Sequence, residues 1–155
     1  MATATQTQKG QELVEVVRRL LRDVWSGKNP DAMEECVSEN YVRHDTYAPG
    51  IIKHAGLRKM VKIYRDAFPD MEITLVEDSI TASEDRVAAQ YWIEGLHREK
   101  LLQIEPTNRR ILIMGTGIWR IEDGKVAEDW HTVDTQTMFT ALGILPCVGE
   151  MLEDH

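Results

Sequence analysis

No part of the chain holds the ~20 consecutive apolar residues that a membrane-spanning helix needs, although hydrophobic residues make up 43% of its 155 positions. Dense runs of lysine or arginine are also missing; Arg18, Arg19 and Arg22 lie spread along one predicted helix. The formal net charge is −8, a field that repels nucleic acid and argues against it as a partner. Cysteine is scarce. Cys36 and Cys147 form no metal-type or redox-type spacing, and a reduced, cytoplasmic setting accounts for them most simply. Phenylalanine occurs only twice, so Trp, Tyr and Met must fill much of any interior.

Motifs for bound groups are absent too. There is no Gly-rich phosphate loop and no Gly-x-Ser-x-Gly nucleophile elbow. The five histidines stand at 44, 54, 97, 131 and 155, without the paired spacing of a zinc site. Neither a metal nor another cofactor is expected. Residues 1–10 are polar and rich in Thr and Gln, lack the apolar core of a secretory signal, and read as a disordered lead-in. Residues 146–155 read as a tail, leaving one domain over 11–145.

What is present organises that domain. Leu13, Val16, Val17, Leu20, Leu21 and Val24 follow the i, i+3, i+4 spacing of a buried helical stripe, predicting a helix over 11–25. Asn29-Pro30 opens a short second helix with Met33, Cys36 and Val37 turned inward. Residues 41–44 read as a brief extended piece before a turn at Pro49-Gly50. Leu57, Met60, Val61, Tyr64 and Phe68 mark the inner face of a third helix over 52–68, which Pro69 ends. The periodicity then changes. Residues 72–80, 86–95, 111–121 and 126–133 read as strands, with 100–104 a weaker candidate. Asp123-Gly124 is a strong hairpin signal, and a last short helix spans 135–142. Helices first and a long antiparallel meander afterwards imply an α+β fold in which a curved sheet wraps three helices and leaves a conical space for a ligand.

Tyr41-x-x-His44, Ala67-Phe68-Pro69-Asp70, Gly95-Leu96-His97, Pro106-Thr107, Asp123-Gly124-Lys125, Glu128-x-Trp130 with Asp134, and Leu142-Gly143 occur in that order. In this series the chain resembles the SnoaL-like polyketide cyclases of the nuclear-transport-factor-2-like cone fold, over about residues 11–145. The resemblance implies a small enzyme of secondary metabolism. In the anthracycline ester cyclases of that family, an aspartate on the last strand is the general acid/base of an aldol closure. Its position falls on His131 here, and the position of its partner histidine falls on Gly117. The wider family's Gly-Thr-His-x-Gly is altered to Gly95-Leu96-His97-Arg98-Glu99.

Several side chains are candidates for chemistry, each with a plainer reading beside it. His131 can exchange a proton near neutral pH; otherwise it is a core or interface histidine bonded to a backbone carbonyl. Asp134 could hold an imidazole or a substrate hydroxyl, or cap the helix it precedes. Asp129 shares a strand face with His131, but two residues along a strand separate side chains by roughly 7 Å, which favours a solvent or interface role. Glu94 lies in an apolar strand and would be an acid or base with a raised pKa if it faced the cavity; facing outward, it only decorates the sheet. His44 and His97 could bind a polar substrate oxygen, whereas His54 reads as exposed. Tyr64, Trp119, Tyr91 and Trp92 are candidate walls, with Trp119 favoured because it shares strand parity with Gly117.

The expected activity is cofactor-free cyclisation or isomerisation of a polyketide or terpenoid-like substrate through an enol or enolate. His131 removes a proton, and Glu94 or Asp134 serves as the second group. The expected substrate is a small organic molecule, apolar with polar groups, and the expected assembly is a homodimer through the outer sheet face. Two other readings stand beside this one. The first is a non-catalytic cone domain that binds a small ligand or a protein. The second is a dehydratase or hydrolase on the same scaffold.

Overall fold

The computed structural model describes residues 7–45 and 50–147. Helix α1 runs over Gln8–Arg19 and continues as a π-helical stretch over Leu20–Trp25. The Thr7 hydroxyl caps α1 by accepting from the Gly10 amide at 3.0 Å, so the helix begins inside the segment read as a lead-in. The wider π turn buries Leu20, Leu21, Val24 and Trp25 together. A 3-10 turn over Pro30–Ala32 leads into α2, Met33–Cys36, which ends with Cys36 buried in the core.

Next come β1 (Val37–Asp45), β2 (Ile51–Lys53) and α3 (His54–Ala67). Strand β1 extends beyond the expected 41–44 at both ends, because Val37, read as part of the second helix, pairs with Val126 of the neighbouring strand and Asp45 pairs with His131. Helix α3 starts two residues late because Ile51 and Ile52 pair with β1 instead. The turn expected at Pro49-Gly50 lies partly outside the described residues.

The remaining strands are β3 (Glu72–Leu75), β4 (Thr81–Ser83), β5 (Arg86–Leu96), β6 (Arg110–Glu122) and β7 (Lys125–Val133); α4 (Thr135–Ala141) follows. The segment 72–80 is therefore not one strand; a 3-10 turn over Glu77–Ser79 breaks it. Residues 100–104 form only an isolated bridge between Leu101 and Ile104. The hairpin between β6 and β7 has positive φ at both Asp123 and Gly124, the geometry a two-residue turn needs to match strand twist.

The seven strands form one sheet in the order β2-β1-β7-β6-β5-β3, with β4 sharing the outer edge of β5. Every pair is antiparallel except β1 with β7. The inner face packs on α1, the π stretch and α3 as an α+β cone, with the core between the two layers. One irregularity positions the site. The β6–β7 register shifts between Arg120 and Ile121, so Ala127 is an extra residue on β7. Val126 and Asp129 are consequently both buried although three residues apart, and Asp129 and His131 end on the inner face. No helix among the described residues is long and apolar enough to cross a membrane.

Candidate active site

Strand β6 places two glycines in the middle of the inner face. Gly115 is the register partner of Tyr91 on β5, and Gly117 is the partner of His131 on β7. A Cβ at Gly115 would stand 2.4 Å from the Tyr91 ring, and one at Gly117 would stand 2.7 Å from His131 Cε1. The two glycines thus form a notch across the central strand. Through it the Tyr91 hydroxyl meets His131 Nδ1 at 2.8 Å, with β6 lying between their strands.

The other ring nitrogen faces a carboxylate. His131 Nε2 is 3.3 Å from Asp129 Oδ2, without hydrogen-bond alignment. Asp129 accepts from the Tyr41 hydroxyl at 2.9 Å on each oxygen, and Arg43 Nη1 is 3.7 Å away. Arg43 Nε donates to Asp45 Oδ2 at 2.5 Å, and its guanidinium lies 5.5 Å over the Trp25 ring. One cation thus faces two carboxylates in the interior, where charge is tolerated only when paired. Trp119, fully buried, sets its edge against His131 with ring centroids 5.1 Å apart.

This environment sets the proton affinities. Burial lowers the basicity of His131; the Arg43 charge adds to the effect, and Asp129 opposes it. Burial also raises the Tyr91 and Tyr41 phenols above their ordinary value. For Arg43, burial works against the charge, but Asp129, Tyr41 and Asp45 outweigh it and hold the guanidinium protonated.

Above this cluster lies an apolar cleft. Leu21 and Trp25 from the π stretch, Met60 and Tyr64 from α3, and Phe68, Met71 and Met138 wall one side. Ile73, Ile93, Ile111, Ile113 and Val133 of the sheet form the other, while Arg43, Tyr91, His131 and Thr135 supply its polar atoms. The space among these side chains is about 650 Å³ including the mouth. Its lining suits a small, mostly apolar molecule. Methionine side chains are flexible enough to widen the cleft.

The structure separates the candidate residues. His131 and Tyr64 line the cleft. Trp119 does not reach it; the ring supports His131 and Tyr91 from behind. Glu94 is exposed, on the opposite strand parity from Tyr91 and Ile93's inward neighbours, and faces outward from the sheet. Asp134 caps α4, accepting from the Thr137 amide at 2.9 Å and the Thr137 hydroxyl at 2.6 Å. His44 lies on the outer face, 3.0 Å from Glu128 and stacked on Trp130. His97 is sealed inside, packed on Phe68 and 3.0 Å from the Thr107 hydroxyl, away from the cleft. Asp129 is 1% exposed, which corrects its reading as a solvent or interface residue; the imidazole spans the interval that backbone spacing alone leaves open. Tyr41, Arg43 and Asp45 were missed. Their spacing of two along one strand was the available signal, since it sets three polar side chains on one face. Among the described residues, no group of three or more His, Cys, Asp or Glu side chains is placed to hold a metal ion.

The family model for SnoaL-like polyketide cyclases matches residues 15–142. The chain belongs to that family. Among solved structures it is similar to AclR of Streptomyces galilaeus, provisionally described as a hydroxylase, with 24% identity over 93% of this chain and 88% of that one and a TM-score of 0.80. A protein from Jannaschia sp. CCS1, provisionally described as a SnoaL-like polyketide cyclase, shares 18% identity over 91% of this chain and 98% of its own, with a TM-score of 0.78. IdmH of Streptomyces antibioticus, provisionally described as a polyketide cyclase, shares 22% over 84% of this chain and 98% of its own, with a TM-score of 0.74. These likenesses show the nuclear-transport-factor-2-like cone fold. A search of curated protein sequences finds no match.

Two outcomes are expected. Gly117→Ala drives a methyl group into the His131 and Trp119 rings and should cost about 1–3 kcal/mol in urea unfolding, as overpacking does. The depressed basicity of His131 makes stability pH-dependent. The unfolded chain binds a proton there near pH ~6.5 and the folded chain only at lower pH, so stability is complete above that value and falls as the pH drops below it. His97, also lowered by burial, acts with the same sign. His131→Gln should therefore remove part, not all, of the decline in melting temperature between neutral and mildly acidic pH.

Proposed function

We propose that this SnoaL-like protein is a cofactor-free cyclase or isomerase of secondary metabolism. Its chemistry is general acid/base catalysis on an enolisable substrate of polyketide or terpenoid type. One observation carries the reading: an imidazole with depressed basicity stands at the floor of an apolar cleft, held between a phenol and a carboxylate. A neutral imidazole is the form that accepts a proton. Arg43 lines the same cleft, and a guanidinium there stabilises the oxygen charge that develops when a proton leaves the carbon beside a carbonyl. Glu94 and Asp134 have no part, since one faces outward and the other caps a helix.

The resemblance to the ester cyclases fits this geometry in an altered form. The family's acid/base aspartate corresponds to His131 and its partner histidine to Gly117. Those two positions are direct register partners here. On that placement the imidazole stands on β7 instead of β6, with a carboxylate two residues earlier, at Asp129.

The outer sheet face fits a second copy of the chain. Trp92, Ile118 and Leu112 are 40%, 38% and 58% exposed on that face, and Trp130 stands beside them, stacked on His44. The proposed assembly is a homodimer. Mass measurement by light scattering should give twice the chain mass, and a single-chain mass would contradict it.

A nitrobenzisoxazole is a suitable probe of the acid/base reading: it is small, and its ring opens once a base removes the proton on the carbon next to the ring nitrogen. His131→Gln should lower kcat/KM for this opening about a hundredfold, the usual scale of a lost acid/base group, in protein that circular dichroism shows to be folded at the assay temperature. Equal rates in the two proteins would remove His131 from the mechanism.

A further inference from the structure

Neither nitrogen of His131 is free to meet a substrate. Nδ1 is engaged by the Tyr91 hydroxyl at 2.8 Å. Nε2 lies 3.3 Å from Asp129 and is sealed from solvent. The group that both lines the cleft and touches the imidazole is Tyr91. Its oxygen carries one proton and has acceptor capacity beyond its bond to Nδ1. Gly115 leaves the hydroxyl room, since a Cβ there would stand 2.6 Å from it. Hydroxyl, imidazole and carboxylate therefore form one chain whose first two members line the cleft, the sequence of groups by which an acid/base relay activates a hydroxyl.

We propose that Tyr91 is the catalytic residue that exchanges the proton with the substrate, with His131 as the base behind it and Asp129 as the positioning residue. This rests on the acid/base reading of the site and names the atom that carries it out. In the forward step, the Tyr91 oxygen takes the proton from the carbon beside the substrate carbonyl while its own proton passes to His131 Nδ1. The C–H electron pair becomes the enolate, facing Arg43, and the new imidazolium faces Asp129. In the second step, the enolate carbon bonds to an acceptor carbonyl carbon, whose π pair becomes an alkoxide. The alkoxide takes a proton from Tyr91, and Nδ1 returns one to the phenol. No net proton is gained or lost, and no other reactant is needed. In the resting state burial keeps both groups neutral, as the relay requires.

Tyr91→Phe retains the ring and removes only the hydroxyl, so a test by this variant does not rest on a disrupted core. With the nitrobenzisoxazole as probe, the proton leaves carbon for Tyr91, the N–O bond breaks, and a nitrile and a phenolate form. Tyr91→Phe and His131→Gln should each lose about a hundredfold in kcat/KM, and the double variant should lose no more than either, as members of one relay do. Asp129→Asn should lower kcat more than it raises KM and shift the acid limb of the pH–rate profile, because the imidazolium loses its counter-charge. If Tyr91→Phe keeps more than about a third of the wild-type rate while His131→Gln loses it, the imidazole acts directly and the Tyr91 assignment is overturned alone. A wild-type rate no higher than that of His131→Gln overturns the acid/base reading together with it.

Discussion

Three side chains from two strands meet across a third at the bottom of an apolar cleft, and most other features of the molecule can be related to keeping them there. A hydrogen bond between Tyr91 and His131 cannot form over a strand with ordinary side chains, because a Cβ at Gly115 or Gly117 would occupy the rings' volume. Trp119 then fixes the imidazole from the side, and the β7 bulge turns Asp129 and His131 inward on the same face as Val126. Buried polar chains of this kind stabilise one arrangement when they are satisfied and penalise any arrangement that breaks them. The proposed chemistry and the local packing therefore depend on the same contacts.

The charge balance around this chain bears on the proposed chemistry. Arg43, Asp45 and Asp129 sum to one negative charge when all are ionised, and they are buried together. That excess opposes the combined effect of burial and Arg43 on His131. The imidazole is neutral at rest, and its protonated form has a carboxylate waiting. Among the described residues, Asp45 Oδ1 and His131 Nε2 have no hydrogen-bond partner, and their residues are register partners on β1 and β7. The strand pair that closes the cone thus holds its unused polar capacity beside the imidazole.

Much of the architecture was legible in the sequence because it is written in local periodicity. The change from helical to alternating spacing after Pro69, the Asp123-Gly124 hairpin and the ordered family motifs all survive in the structure. What was not legible depends on contacts distant in sequence. Tyr41 and Asp129 are 88 residues apart and Tyr91 and His131 are 40 apart, so no window along the chain reveals either pair. Glu94 could not be assigned a face from alternation alone; only its register against Leu112 and Glu72 places it outside. The inward face of β1 was missed because Tyr41, Arg43 and Asp45 resemble a solvated strand until their partners are known. Gly117 was read as a lost histidine, whereas the structure shows it as the space that admits one from the neighbouring strand.

The central claim is a neutral imidazole clamped between phenol and carboxylate, and nitrogen NMR of the His131 ring reads it most directly. At neutral pH the account predicts one protonated and one bare nitrogen, with the bare Nδ1 hydrogen-bonded and its signal changed in Tyr91→Phe. Two nitrogens averaged by rapid tautomer exchange, unaffected by removal of the Tyr91 hydroxyl, would contradict it.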